Sequence, residues 1–219
     1  MWCITSITSE YRERMYAVLD LYNETYNKQF PVVCLDEKSK QLIADSRKPI
    51  PIKPGRIAKY DYEYRRKGTC NIFVAIEPKA GKHHIKVTDR RTKKDFALFV
   101  KWLIEDRYNK ATKIRIVLDN LNTHFEKSFH ETFSKKESKY LLNKIQLLYT
   151  PKHASWLNMA EIEINIMEEE CLGRRIGNRK LLESELNIWC KQNNKEKRKI
   201  CWSFTSKKAD EKMSKYYVS

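Results

Sequence analysis

The chain has 219 residues, 41% hydrophobic and 33% charged, enough for one large domain with a core of its own. Lys and Arg number 44 against 28 Asp and Glu, and the resulting charge of +16 is spread along the whole chain, which points to a polyanionic partner, nucleic acid before others. The six cysteines lie far apart, no Cys-x-x-Cys occurs and the most apolar helix candidate is broken by Lys101; a zinc site, a disulfide framework, a secretory leader and a membrane span are therefore disfavoured, and reduced thiols in the cytoplasm are expected.

Tyr11 to Tyr26 carries Met15, Val18, Leu19 and Tyr22 at helical spacing, which predicts an amphipathic helix stopped by Pro31. "PVVCLDEK" then reads as a short central strand, covered on both faces and closing on Asp36. Residues 45–68 are rich in Pro, Lys and Arg without a clear period and read as a loop or an irregular hairpin. Asn71 to Ile76 and His84 to Val87 flank "EPKAG" and should pair as an antiparallel hairpin. Thr92 and Asp95 have the spacing of a capping box, and Phe96, Phe99, Val100 and Leu103 form the stripe of the helix behind it. Lys113 to Leu118 is a strand, 127–143 a charged helical stretch, "KIQLLY" a further strand, and helices are predicted from Leu157 to about Leu172 and from Arg179 to Gln192. Strands separated by helices of this length pair in parallel, so the order predicts an α/β fold, a mixed sheet flanked by helices with the hairpin at an antiparallel edge. Residues 1–30 read as an N-terminal linker and helix, 31–195 as the main domain and 196–219 as a basic tail.

"PVVCLD" and "KIRIVLD" share one device, an apolar run that ends in Asp. Sites in such sheets collect outside the carboxyl ends of the strands. If the two strands are neighbours, Asp36 and Asp119 stand close together, and two like charges there call for a cation; oxygen ligands suit Mg²⁺ or Mn²⁺. A third ligand is to be sought in "SWLNMAEIEINIMEEE", where spacing alone does not decide among five glutamates.

"VVCLDEK", "VLDNLNTH" and "TPKHASWLNMAEIE" resemble, in this order, the catalytic motifs of DDE transposases of the mariner superfamily, in its bacterial insertion-sequence branch. The resemblance extends over nearly the whole chain, from "WCI" to "WSFTSKKADEKMSKYY". It implies a ribonuclease H-like fold, and it selects Glu161 over Glu163 as the third acid beside Asp36 and Asp119, all three as catalytic ligands of Mg²⁺ or Mn²⁺. It further implies cleavage of double-stranded DNA at transposon inverted repeats, strand transfer of a 3′-hydroxyl into target DNA, a possible homodimer, and a nucleoid-associated setting in a bacterial cytoplasm. Between Asp119 and Glu161 stand 41 residues, 120 to 160, a longer interval than is typical of animal mariner elements; the charged stretch at 127–143 accounts for it. Such enzymes carry N-terminal helix-turn-helix units, so the chain reads as a catalytic half.

Around these acids, Asn120, His124 and Asn158 are the candidate supporting residues: Asn120 for the turn or a phosphate, His124 to orient a carboxylate or contact the scissile strand, Asn158 as a partner one turn before Glu161. Arg65, Arg66 and Lys67, interleaved with Tyr62 and Tyr64, form a basic and aromatic cluster suited to DNA, and Arg90 and Arg91 follow the hairpin near the expected site. Two rival readings share these residues: a ribonuclease H-like nuclease that does not join ends, and a catalytically dead DNA-binding remnant.

Overall fold

The computed structural model describes residues 6–218; the opening "WCI", with Cys3, lies outside them. One mixed sheet organises the chain. Its strands are β1 (Val32–Asp45), β2 (Tyr64–Glu77), β3 (Lys82–Thr88), β4 (Ile114–Leu118) and β5 (Ile145–Tyr149), in spatial order β3-β2-β1-β4-β5. β1, β4 and β5 run parallel, while β2 pairs antiparallel with both β1 and β3. The hairpin and its antiparallel edge are thus as the sequence predicted.

Pleating sends alternate residues to opposite faces, and each face finds its own core. Val33, Leu35, Phe73, Ala75, Ile116 and Leu118 meet Phe96, Phe99 and Val100 of α2 (Lys93–Trp102) on one side. Cys34, Ile72, Val74, Ile76 and Val117 meet α1 (Ser9–Asn23), α5 (Ala160–Met167) and α6 (Arg179–Glu196) on the other. Burying each large apolar side chain contributes about 1.5–3 kcal/mol, and the two-sided cover explains why β1 and β4 are nearly continuous apolar runs. The capping box at Thr92 and Asp95 forms as expected, and Asn178 caps α6 through the Leu181 amide.

Four expectations are corrected. β1 does not close on Asp36 but runs nine residues further, to Asp45, because β2 is long enough to keep pairing with it after β4 has ended. Consequently Arg65 and Arg66 lie in β2 opposite Ala44 and Ile43, and Lys67 follows them in the same strand rather than in a loop. The first helix ends at Asn23, short of Tyr26. The stretch 127–143 is two helices, α3 (Lys127–Thr132) and α4 (Lys135–Asn143). Ser134 breaks it: its backbone is extended, and its hydroxyl accepts the Glu137 amide to start the second helix.

Residues 196–219, expected as a basic tail, include α7 (Ser206–Met213). Ala209 is fully buried, and hydrogen bonds from Ser206 to Asp20 and from Tyr16 to Asp210 attach this helix to α1.

Candidate active site

The parallel pairing of β1 with β4 builds the centre of the site. Val32, Val33 and Cys34 stand opposite Arg115, Ile116 and Val117, so two steps further along Asp119 comes beside Asp36. Cys34 and Val117 point into the core on the α5 side, and alternation puts both acids on that same side. Asp36 is therefore not at a strand end, but at the point where β1 loses β4 as a neighbour.

Asn158 brings α5 to this point. Fully buried, it donates to the Leu35 carbonyl at 2.8 Å and accepts the Ala160 amide at 3.2 Å, while its own carbonyl accepts the Glu161 amide at 3.1 Å. The tether thus joins the start of α5 to the residue before Asp36. Tyr22 adds a second link by donating to the Leu157 carbonyl at 2.8 Å. Glu161 falls in the first helical turn, where an acid is favoured by the helix dipole. Its charge reaches Asp36. Burial, then the charges of Asp119, Glu37 and Glu161, push the Asp36 carboxyl up to about 7, against the opposing hydrogen bond from the Glu37 amide.

Asp119 has different company. Its Oδ1 accepts from the His124 ring at 2.7 Å and from the Leu121 amide at 3.1 Å. Burial alone would raise its carboxyl, but the His124 hydrogen bond and charge, with Arg91 further off, bring it below the usual range. For His124, burial works against the charged form; the bonds to Asp119 and Glu37 outweigh it and hold the imidazole up at about 9. The ring is wholly buried, its Nε2 lies 2.7 Å from Glu37 Oε1, and the Tyr149 hydroxyl donates to its backbone carbonyl at 2.9 Å.

Glu37 went unnoticed in the sequence. The signal available was its place directly after Asp36, on the opposite face of β1 and in reach of a residue that follows β4. Asn120 is a tether: its amide donates to the Thr150 carbonyl at 2.7 Å and its Oδ1 accepts from Arg14 at 2.9 Å, linking β4, β5 and α1.

The basic candidates divide. Arg90 and Arg91 are exposed between β3 and α2, and Arg91 is near enough to act on Asp119. Arg65, Arg66 and Lys67 are exposed on the outer part of β2; the partner of Arg66, Ile43, is seven steps along β1 from Asp36, on the order of 20 Å. They are not part of the acidic centre.

Asp36, Asp119 and Glu161 make an all-oxygen donor set, and among the described residues none of them has a Lys or Arg as an ion-pair partner. That leaves an acidic centre suited to a divalent cation. Among the described residues no group of three or more His, Cys, Asp or Glu side chains is placed to hold a metal ion. A cavity of about 220 Å³ near Val32, lined by Leu21, Tyr22, Met159 and Trp202, includes none of these acids.

The family model described as DDE superfamily endonuclease matches residues 31–183, which contain every one of these carboxylates. The chain belongs to this family. Solved structures of a mariner transposase share its ribonuclease H-like fold. The Mos1 paired end complex with Mg is 14% identical with a TM-score of 0.59, over 100% of this chain and 66% of that one. The Mos1 paired end complex with Mn is 14% identical with a TM-score of 0.55, over 90% and 60%, and the Mos1 strand transfer complex 14% identical with a TM-score of 0.51, over 90% and 61%. The chain thus spans about 60–66% of the length of these Mos1 chains. No curated protein sequence matches it. Among the described residues, no helix is long and apolar enough to cross a membrane.

Proposed function

We propose that the chain is the catalytic part of a transposase, which cuts double-stranded DNA at transposon ends and joins the freed 3′-hydroxyl to target DNA, with Asp36, Asp119 and Glu161 holding Mg²⁺ or Mn²⁺. The observation that carries this reading is the register of β1 on β4, which sets Asp36 beside Asp119 while the Asn158 tether brings in Glu161. Bound divalent ions supply activation of a water or hydroxyl and charge stabilisation at the leaving oxygen. The chain's own contribution is placement. The pleat aims two acids at one side of the sheet, Asn158 fixes the approach of α5, and His124 holds Asp119 ionised. Arg91 and Arg90, at the rim, are suited to the phosphates on either side of the cut, and Arg65, Arg66 and Lys67 to the same duplex further out. Those groups and the net charge of +16 favour duplex DNA as partner. Mos1 has been solved as paired end complexes with Mn and with Mg, which supports the choice of metal.

The test is a joining assay with Mn²⁺, a labelled precut 3′ end and a second duplex. Joined products are expected. Hydrolysis without joining would instead make the chain a ribonuclease H-like nuclease, and neither reaction a DNA-binding remnant.

A further inference from the structure

We infer that Glu37 is a positioning residue of the active site, acting through His124 on Asp119; this rests on the reading of Asp119 as a metal ligand. Glu37 and Asp36 are adjacent in β1 and point to opposite faces, so Glu37 stands on the α2 side, away from the acids. Its side chain is only 2% exposed, a costly place for a carboxylate without a partner. The partner is the wholly buried His124, whose two ring nitrogens lie 2.7 Å from Glu37 Oε1 and 2.7 Å from Asp119 Oδ1. With both nitrogens engaged the ring has one orientation, and the Phe96 ring, 4.8 Å away, closes it from the α2 side. The bridge passes around the end of the strand, from the back of the sheet to its catalytic face.

The consequence lies at Asp119. Its two donors, the His124 ring and the Leu121 amide, both meet Oδ1, which fixes the carboxylate plane and leaves Oδ2 free of them. Removing Glu37 frees the His124 ring to turn, and Asp119 loses its defined direction although no ligand has been changed. Partners behind metal ligands typically contribute 10–100-fold in metal affinity.

The experiment measures Mn²⁺ affinity of the full chain by electron paramagnetic resonance of the free ion, with circular dichroism to confirm folding. Glu37→Ala is expected to weaken Mn²⁺ binding at least tenfold, and Glu37→Gln, of the same shape but uncharged, about fivefold. In a His124→Asn background, where the asparagine amide can still reach Asp119 but not Glu37, Glu37→Ala should add less than twofold. Wild-type affinity in a folded Glu37→Ala overturns the inference, and so does a full additional loss in the His124→Asn background. Should Glu37→Ala not fold, Glu37→Gln decides alone, wild-type affinity again overturning it. Asp119→Asn separates the two levels: if it binds Mn²⁺ normally the metal-site reading falls, and if it loses binding while the Glu37 variants do not, only the positioning role falls.

Discussion

Asp36, half-buried, and Glu163, buried, are both acids on the α5 side of the sheet, and they differ in company. Glu163 is 2% exposed at its side chain and lies 2.9 Å from the buried His83 and 3.6 Å from Arg198. Its partners lie within the protein. Asp36 has a single backbone donor, the Glu37 amide; of the three acids around it Asp119 and Glu37 share the His124 imidazole, and among the described residues no ion pair reaches Asp36 or Glu161. The same residue class, on the same face, thus serves cohesion in one place and leaves an open demand for charge in the other. A buried acid is informative about function when its neighbours fail to neutralise it.

Exchanging single atoms in each cluster tests that contrast most severely. Asp119→Asn keeps shape and removes a charge from the acids around Asp36; Mn²⁺-dependent nicking should fall by at least roughly 10³-fold, the equivalent of several kcal/mol of charge stabilisation. Glu163→Gln should nick with rates within a few-fold of wild type. Nicking assays on labelled duplex at saturating Mn²⁺ read both, and equal losses in the two variants would erase the distinction.

The stability ranking should reverse. Withdrawing one partner from a buried pair costs about 3–5 kcal/mol, so Glu163→Ala should lower Tm by roughly 10 °C or more, whereas Asp119, 37% exposed at its side chain, has much less to lose. Thermal melts of the metal-free proteins measure this. A Glu163→Ala melting with wild type would mean that His83 and Arg198 do not hold α5 as the geometry indicates.

How much of this was legible beforehand follows from the range of each interaction. The strands, the hairpin and the capped helix are local patterns, and they were readable at Phe96, Phe99 and Val100 as at Asn71 to Ile76. The adjacency of Asp36 and Asp119 was conditional on β1 and β4 being neighbours, which their parallel pairing meets. The choice of Glu161 came from the motif resemblance and not from spacing, since the buried partner of Glu163, His83, is 80 residues away in the chain. Glu37 was invisible for the same reason: its bond to His124 spans 87 residues. The extension of β1 past Asp36 was missed because its outer residues, such as Lys38 and Lys40, are polar, and strand pairing with β2 rather than burial keeps them extended.

The arm formed by the outer parts of β1 and β2 sharpens the comparison from outside. Replacing Arg65, Arg66 and Lys67 together by Ala should reduce the slope of log affinity for duplex DNA against log salt by up to about 3, because each phosphate left without its cation lowers that slope by about 0.9. Mn²⁺ affinity should stay as it was, because these residues are on the order of 20 Å from the acids along β1. Titrations of fluorescent duplex between about 50 and 200 mM salt check it. An unchanged slope would remove the arm from the DNA-binding surface and leave Arg90 and Arg91 as the candidates.

The smallest effect expected is also the most particular to Asp36. Its carboxyl titrates at about 7 in the folded chain against an ordinary 3.8, so folding disfavours the ionised form. The contribution of Asp36 to stability is complete below pH ~4 and is lost as the pH rises through about 7. Asp36→Asn, which cannot ionise, should therefore melt higher than wild type at pH 8 without metal, by a few degrees for about 1–2 kcal/mol, and the gap should close by pH ~4–5. Mg²⁺ should act the other way: it stabilises the form that binds it, raising the wild-type Tm and leaving the variant nearly unmoved. Glu163→Gln should show neither behaviour, since Glu163 already has His83 and Arg198 as partners within the protein. If Asp36→Asn melted lower than wild type at pH 8 without metal, the Asp36 charge would have a partner inside the protein, and the acidic centre would be a structural cluster like the one around Glu163.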